Sequence, residues 1–224
     1  SSIFVDKNSN IYVANSGRNY IGIYKFYDTL DITRINYDTQ VNLVSVDKEN
    51  GWVYNVFYKY IYDGSTSYRF NYIVQYDTNM NYIRTIGYNG NTADTANSFD
   101  RIRKITAFNG SLYVYDASKA EIIKYNGSNP AASPSVWTLS NIIPDFNSDD
   151  YYYYYYSAIN ADSSGNIFFV YTKYDETLDK NILKAAVLSQ NGTLIRELSS
   201  NNFADNNNYY YDTIAVAVDD AGNI

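Results

Sequence analysis

Cysteine and histidine are both missing from this 224-residue chain. Without cysteine no disulfide holds the fold, and thiol usage gives no clue to the redox compartment. Without histidine the chain lacks the commonest general base, the commonest transition-metal ligand and the usual pH switch, so every mechanism that needs an imidazole is excluded. Positive charge is also short. With 17 Lys+Arg against 24 Asp+Glu the net charge is −7, and the long-range field repels phosphate backbones and anionic lipid surfaces. Nucleic acid is not an expected partner. No stretch approaches the ~18–20 consecutive apolar residues of a membrane helix, and residues 1–20 lack a basic region followed by an apolar run. Membrane insertion is not expected.

What is present is a tyrosine-rich, β-branched repeat. Of the 224 residues 28 are Tyr, against 3 Pro and 1 Met. An acidic turn leading into an aromatic strand recurs along the chain. It reads Val5-Asp6-Lys7-Asn8-Ser9-Asn10-Ile11-Tyr12-Val13, Val46-Asp47-Lys48-Glu49-Asn50-Gly51-Trp52-Val53-Tyr54 and Ala161-Asp162-Ser163-Ser164-Gly165-Asn166-Ile167-Phe168-Phe169. A further copy, Val218-Asp219-Asp220-Ala221-Gly222-Asn223-Ile224, stops inside its second strand. A degenerate copy, with Ala107 in the place of the Asp, lies at Ala107-Phe108-Asn109-Gly110-Ser111-Leu112-Tyr113-Val114.

Markers spaced roughly 40–60 residues apart suit a four-stranded unit with loops of variable length, and each unit can bury its apolar faces only against its neighbours. A second pair of strands follows each marker. Ile23-Tyr24-Lys25-Phe26 leads to Ile32-Thr33-Arg34-Ile35, Ile73-Val74-Gln75-Tyr76 to Tyr82-Ile83-Arg84-Thr85-Ile86, and Ala185-Ala186-Val187-Leu188 to Leu194-Ile195-Arg196-Glu197-Leu198. The third unit keeps Ile122-Ile123-Lys124-Tyr125 and inserts residues 128–135 before Val136-Trp137-Thr138. Asn-Gly between apolar runs favours a tight hairpin, since both central residues of that turn want positive φ.

Each unit therefore reads as a four-stranded antiparallel meander. The chain is expected to be one all-β domain over 1–224, with units at about 3–42, 43–101, 102–157, 158–213 and the start of a fifth at 214–224.

The order of an apolar strand, Val-Asp-x-x-Gly-Asn, Ile-Tyr-Val, a polar turn, Ile-x-x-Tyr-Asp, a turn and Ile-Arg-x-Ile resembles the NHL-repeat type of β-propeller blade. The match covers all four units and is best over 162–198 and 46–86. The resemblance implies a β-propeller of four full blades plus the start of a fifth. It usually closes with six, which implies a larger chain. It also implies a binding or sensing module.

The acidic turns invite a calcium reading. A calcium loop needs a carboxylate twelve places along, where the series from Asp6 reaches Gly17. Asp and Asn also close turns by bonding their own backbone, which explains recurrence in every unit. The turns are expected to be structural, with no metal and no cofactor. The competing reading is a metal-assisted lyase or lactonase, because similar propellers place Asp, Glu, Asn or His around a channel metal. Only a carboxylate version is open to a chain without histidine. No phosphate loop or nucleophile elbow is present, and Gly87-Tyr88-Asn89-Gly90-Asn91 lacks the necessary Lys. The expectation is a protein that is not an enzyme.

The most unusual local feature is a pair of tyrosine runs. Tyr151, Tyr152, Tyr153, Tyr154, Tyr155 and Tyr156 follow Asp149-Asp150, and Tyr209, Tyr210 and Tyr211 follow Asn206-Asn207-Asn208. Tyr154 and Tyr211 stand the same distance ahead of Asp162 and Asp219. Both runs lead into the first strand of a unit, at one rim of a propeller's channel. The third unit places Arg101, Arg103 and Lys104 there. Tyr gives apolar area at low rotamer cost together with a hydroxyl. The tyrosines and Arg101 and Arg103 are thus candidate ligand-binding residues for a protein, peptide or glycan, although alternate rings of a strand also pack between sheets. Few cations with abundant Tyr and Asn suit an extracellular, periplasmic or cell-envelope protein, a structural envelope component being a further alternative. Asn126-Gly127-Ser128 and Asn191-Gly192-Thr193 match the N-glycosylation acceptor and are also good turn sequences.

Overall fold

The computed structural model describes residues 2–17, 20–26, 40–62, 67–89, 92–93, 99–129, 131–144, 146, 157–178, 180–205, 216–219 and 223. The protein is all-β, built from consecutive antiparallel meanders in which each strand pairs with the next in sequence. The first sheet holds β1 (Ser2–Val5), β2 (Ile11–Gly17) and β3 (Tyr20–Phe26). The second holds β4 (Gln40–Val46), β5 (Val53–Tyr62), β6 (Ser67–Tyr76) and β7 (Tyr82–Ile86). A short hairpin of β8 (Tyr88–Asn89) and β9 (Thr92–Ala93) comes next. The third sheet holds β10 (Ile102–Phe108), β11 (Ser111–Asp116), β12 (Glu121–Asn126) and β13 (Ser135–Thr138), followed by α1 (Leu139–Ile142). The fourth holds β14 (Ser157–Ala161), β15 (Ile167–Asp175), β16 (Lys180–Leu188) and β17 (Leu194–Asp205).

The sheets pack face to face in chain order, and strand periodicity explains how. Alternate side chains leave a strand on opposite faces, so a sheet sandwiched between two others reads as a continuous apolar run. Tyr54 and Val56 of β5 enter the core shared with the third sheet, whereas Val53 and Phe57 enter the core shared with the first. In β11, Leu112 and Val114 face back to the second sheet while Tyr113 and Tyr115 face forward to the fourth. Ile167, Phe169 and Tyr171 of β15 face back, and Val170 faces the segment that carries Val216. The forward core of the third sheet is the most aromatic. There Tyr115 tilts against Phe169 at 4.8 Å between ring centroids, and Phe146 meets Tyr171 edge-on at 5.4 Å.

Two expectations need correction. Residues 40–42 belong with the second sheet and not with the first unit, because Gln40 and Val41 already pair with Tyr58 and Phe57 across a bulge before Leu43. Ala107 is not the counterpart of the Asp marker. It pairs with Leu112 as Val46 pairs with Val53 and Ala161 with Ile167, one place earlier, because the third unit replaces the acidic turn with the two-residue turn Asn109-Gly110. That pair has φ of 43° and 78°, the positive pair that a tight Asn-Gly hairpin demands. Other Asn-Gly pairs behave differently: the glycine alone is positive in Asn50-Gly51 (φ 70°) and Asn191-Gly192 (φ 80°), and neither residue of Asn126-Gly127 is.

Candidate functional site

The repeated carboxylates are consumed by their own turns. Asp162 Oδ1 accepts the backbone N–H groups of Ser164 (2.9 Å) and Asn166 (2.8 Å), and its Oδ2 accepts the Asn166 side-chain amide at 2.8 Å. Asp6 does the same with Asn8 and Asn10, and also accepts the Tyr12 hydroxyl at 3.1 Å. Asp219 holds the backbone and side chain of Asn223. The bend comes from the residue before the Asn, which is left-handed: Ser9 at φ 63° and Gly165 at φ 79°. A carboxylate that satisfies three donors has little lone-pair capacity left for a cation. Burial raises the Asp6 pKa, but the bonds from Asn10, Asn8 and Tyr12 outweigh it and hold the group below the ordinary 3.8. The signal generalises beyond the first hairpin of each sheet. Asp77, between β6 and β7, holds Asn79 and Asn81 in the same pattern, and Ser189 replaces the Asp before Thr193.

Asp47 has a second role. It is fully buried and accepts from Glu49, from Asn50 and, across to the third sheet, from the N–H of Gly110. This end of the sheets is tied together elsewhere by cations donating to carbonyls of the next sheet. Lys7 Nζ reaches Glu49 O at 3.1 Å, Arg84 reaches Asn126 O at 2.8 Å and Lys124 Nζ reaches Gln190 O at 3.0 Å. Burial lowers the pKa of both Arg84 and Lys124. The two tryptophans close the same end. A Cβ on Gly127 would lie 2.7 Å from the Trp52 ring, and one on Gly192 would lie 2.7 Å from the Trp137 ring, so each ring lies directly against a glycine backbone of the following sheet.

Of the sequence-predicted ligand residues, Tyr151, Tyr152, Tyr153, Tyr154, Tyr155, Tyr156, Tyr209, Tyr210 and Tyr211 lie outside the described residues. Arg101 and Arg103 are half-buried at the start of β10. The ladder to β11 shifts register between Ile102 and Lys104, which makes Arg103 the extra residue of a bulge. Bulges of this kind re-aim a side chain at a sheet's rim. Behind it Asp116, fully buried, clamps the loop by accepting the N–H groups of Asp100 (2.9 Å) and Arg101 (3.0 Å). Burial raises the Asp116 pKa despite those two bonds. Burial, with the adjacent Arg103 charge, lowers that of Lys104. The cation whose charge acts on Asp116 is Lys119, while Arg103 and Lys104 lie close enough to each other for their charges to repel. Among the described residues no three Asp or Glu side chains group closely enough to hold a metal ion, and no helix is long and apolar enough to cross a membrane.

Three polar features were not legible beforehand. Asn55 is buried with neither amide atom partnered among the described residues, at a rung where the third and fourth sheets carry Val114 and Phe169. The Tyr54 hydroxyl is likewise buried and unpartnered among them, and burial together with the Asp47 charge raises its pKa. Lys184 and Glu197 form a 2.7 Å ion pair between β16 and β17, and the Tyr171 hydroxyl donates to the same Glu197 oxygen at 3.3 Å.

No family model matches the sequence, and no curated protein matches it. Among solved structures the chain is similar to the crystal structure of Porphyromonas gingivalis dipeptidyl peptidase 4, at 13% identity and a TM-score of 0.48. The similarity covers 90% of this chain and 32% of that one, so the chain spans about a third of the length of that peptidase.

Proposed function

We propose that this chain forms blades of a β-propeller of the NHL-repeat type and works as a non-catalytic recognition or scaffold module for a protein, peptide or glycan. One observation carries the reading: the first strands of successive sheets lie against one another, β1 on β4, β4 on β10 and β10 on β14. The Ser45 hydroxyl of β4 even accepts the Ala107 N–H of β10 at 3.0 Å. Face-packed meanders that share an innermost row of strands are arranged radially, as propeller blades are. The carboxylates of the repeat, Asp6, Asp47, Asp162 and Asp219, are bonded into their turns, which favours binding over catalysis.

The ligand surface is the rim where the innermost strands begin. Its described part is the Arg101–Lys104 segment, where the bulge at Arg103 interrupts the ladder, and the two tyrosine runs are its proposed remainder. Binding is tested by screening the protein on peptide and glycan arrays, then repeating the screen with Tyr153→Ser/Tyr154→Ser/Tyr155→Ser and with Arg103→Ala. Loss of the captured ligands with an unchanged melting temperature supports the reading. Unchanged binding in both variants, or unfolding of the tyrosine variant, overturns the placement of the site.

A further inference from the structure

Asn-Gly pairs stand at 50–51, 89–90, 109–110, 126–127 and 191–192 of the sequence. Such a pair can modify itself. The glycine amide nitrogen, once its proton has passed to a solvent base, attacks the asparagine Cγ, and ammonia leaves as a cyclic imide closes. Water then opens one of the two imide C–N bonds, giving aspartate or, with the main chain rerouted through the side chain, isoaspartate. One water enters and one ammonia departs. Glycine allows the approach because it has no Cβ to obstruct it. In a folded chain the attack is opposed by any hydrogen bond that holds the glycine N–H and by any that fixes the asparagine carboxamide, since each must open first. Gly90 lies outside the described residues, and the other pairs can be compared.

Asn50, Asn109, Asn126 and Asn191 are all exposed, so exposure does not choose among them. Bonding does. The Asn50 carboxamide donates to Asp47 Oδ2 at 3.0 Å while the Gly51 N–H donates to the Asp47 carbonyl at 2.7 Å. Asn126 Oδ1 accepts the N–H groups of Ser128 (2.9 Å) and Asn129 (3.0 Å), and the Gly127 N–H donates to the Gly110 carbonyl at 2.7 Å. The Gly110 N–H after Asn109 donates to the buried Asp47 carboxylate, a charge-assisted bond whose negative charge also resists loss of the amide proton. Asn191 has the weakest restraint. Its carboxamide has no partner among the described residues, and the Gly192 N–H donates to the neutral Ser189 carbonyl at 2.9 Å, the longest of these bonds. We propose that Asn191 is the site at which this protein modifies spontaneously, becoming aspartate and isoaspartate ahead of Asn50, Asn109 and Asn126. The position matters to the packing. Isoaspartate lengthens the main chain by one carbon between Gln190, which accepts from Lys124 and donates to Ser164, and Gly192, against which the Trp137 ring lies. Conversion would therefore loosen the contact between the third and fourth sheets.

None of these residues belongs to the proposed ligand rim, so the outcome is independent of that reading. The folded protein is held in mildly alkaline buffer and sampled over time, and the peptides that carry each pair are separated and quantified by mass, beside a sample unfolded in urea. Conversion at Asn191 is expected to be roughly fivefold or more faster than at Asn50, Asn109 or Asn126, the factor that one hydrogen bond of ordinary strength supplies, and the gap is expected to close in urea. Equal rates in the folded protein, or faster conversion at one of the other three, overturn the proposal. A gap that survives unfolding also overturns it, because the order then belongs to the neighbouring residues and not to the fold. As a second measurement, Asp47→Ala releases the Gly110 N–H and should speed conversion at Asn109 relative to Asn191. An unchanged ratio would contradict the proposal, since the glycine bond would then not govern the rate.

Discussion

The second and fourth sheets share one repeat but spend three equivalent positions differently. Asp47 and Asp162 close the same turn, yet Asp47 also grips Gly110 of the next sheet, whereas every bond described for Asp162 stays at home. At the next two positions the fourth sheet has Phe168 and Phe169, both buried, where the second has Tyr54 and Asn55 with buried, unpartnered polar atoms. A repeat fixes geometry and burial at a position. It does not fix whether a polar group there is satisfied, because that depends on the neighbouring sheet, and the neighbours differ. The third sheet's shorter Asn109-Gly110 turn is what brings an N–H within reach of Asp47.

The largest effect should come from the carboxylates themselves. Asp47→Ala removes bonds within its turn and across the interface, and should cost about 2–4 kcal/mol, against about 1–2 kcal/mol for Asp162→Ala. At this chain length that separates the two melting temperatures by several degrees, measurable by calorimetry. Equal losses would show that the cross-sheet bond adds nothing. Next in size, Asn55→Val should stabilise the protein by about 1–2 kcal/mol, since it replaces an unsatisfied buried amide with the kind of residue the equivalent rungs carry. A destabilised variant in a urea titration would mean that the amide has an ordered partner such as a buried water. Tyr54→Phe should be smaller, a gain of up to about 1 kcal/mol, and its failure would place a partner on that hydroxyl.

The smallest effects are in pH dependence, and they have opposite signs. Asp6 has its pKa depressed on folding, so its contribution is present above the ordinary value of 3.8 and is lost as pH falls through the lower folded value. Asp116 has its pKa raised on folding. Its ionisation therefore opposes folding above the raised value, and the penalty is relieved as pH falls through it. In pH-dependent denaturation Asp6→Asn should flatten the acid loss of stability. Asp116→Asn should steepen it, since the variant lacks the group that gains from protonation. Both variants changing in the same direction would contradict the assignment.

Much of this architecture was legible in the sequence, and the reason is local. The Asp-to-Asn turn is a bond between residues four apart, and strand alternation repeats every two residues, so both leave a pattern within a short window. The partners of Asp47, Arg84 and Lys124 were not legible, because they lie 63, 42 and 66 residues away and depend on how the sheets stack. The forward and backward faces could not be told apart either, since both are apolar in strands such as Leu112–Tyr115. The third unit misled by one position because its turn is shorter, which composition alone does not reveal. Arg101 and Arg103 were placed at the start of an innermost strand by their distance from the next turn, but the bulge at Arg103 has no signature in the residues around it.

The central claim is that the repeated aspartates fasten turns and sheets rather than hold a cation. It is tested most directly by the melting temperatures of the unaltered protein, Asp47→Ala and Asp162→Ala, each measured in calcium and in chelator. The account predicts that Asp47→Ala loses more than Asp162→Ala and that both losses are the same in the two solutions. Losses that appear in calcium and vanish in chelator would contradict it, because the carboxylates would then be acting as metal ligands.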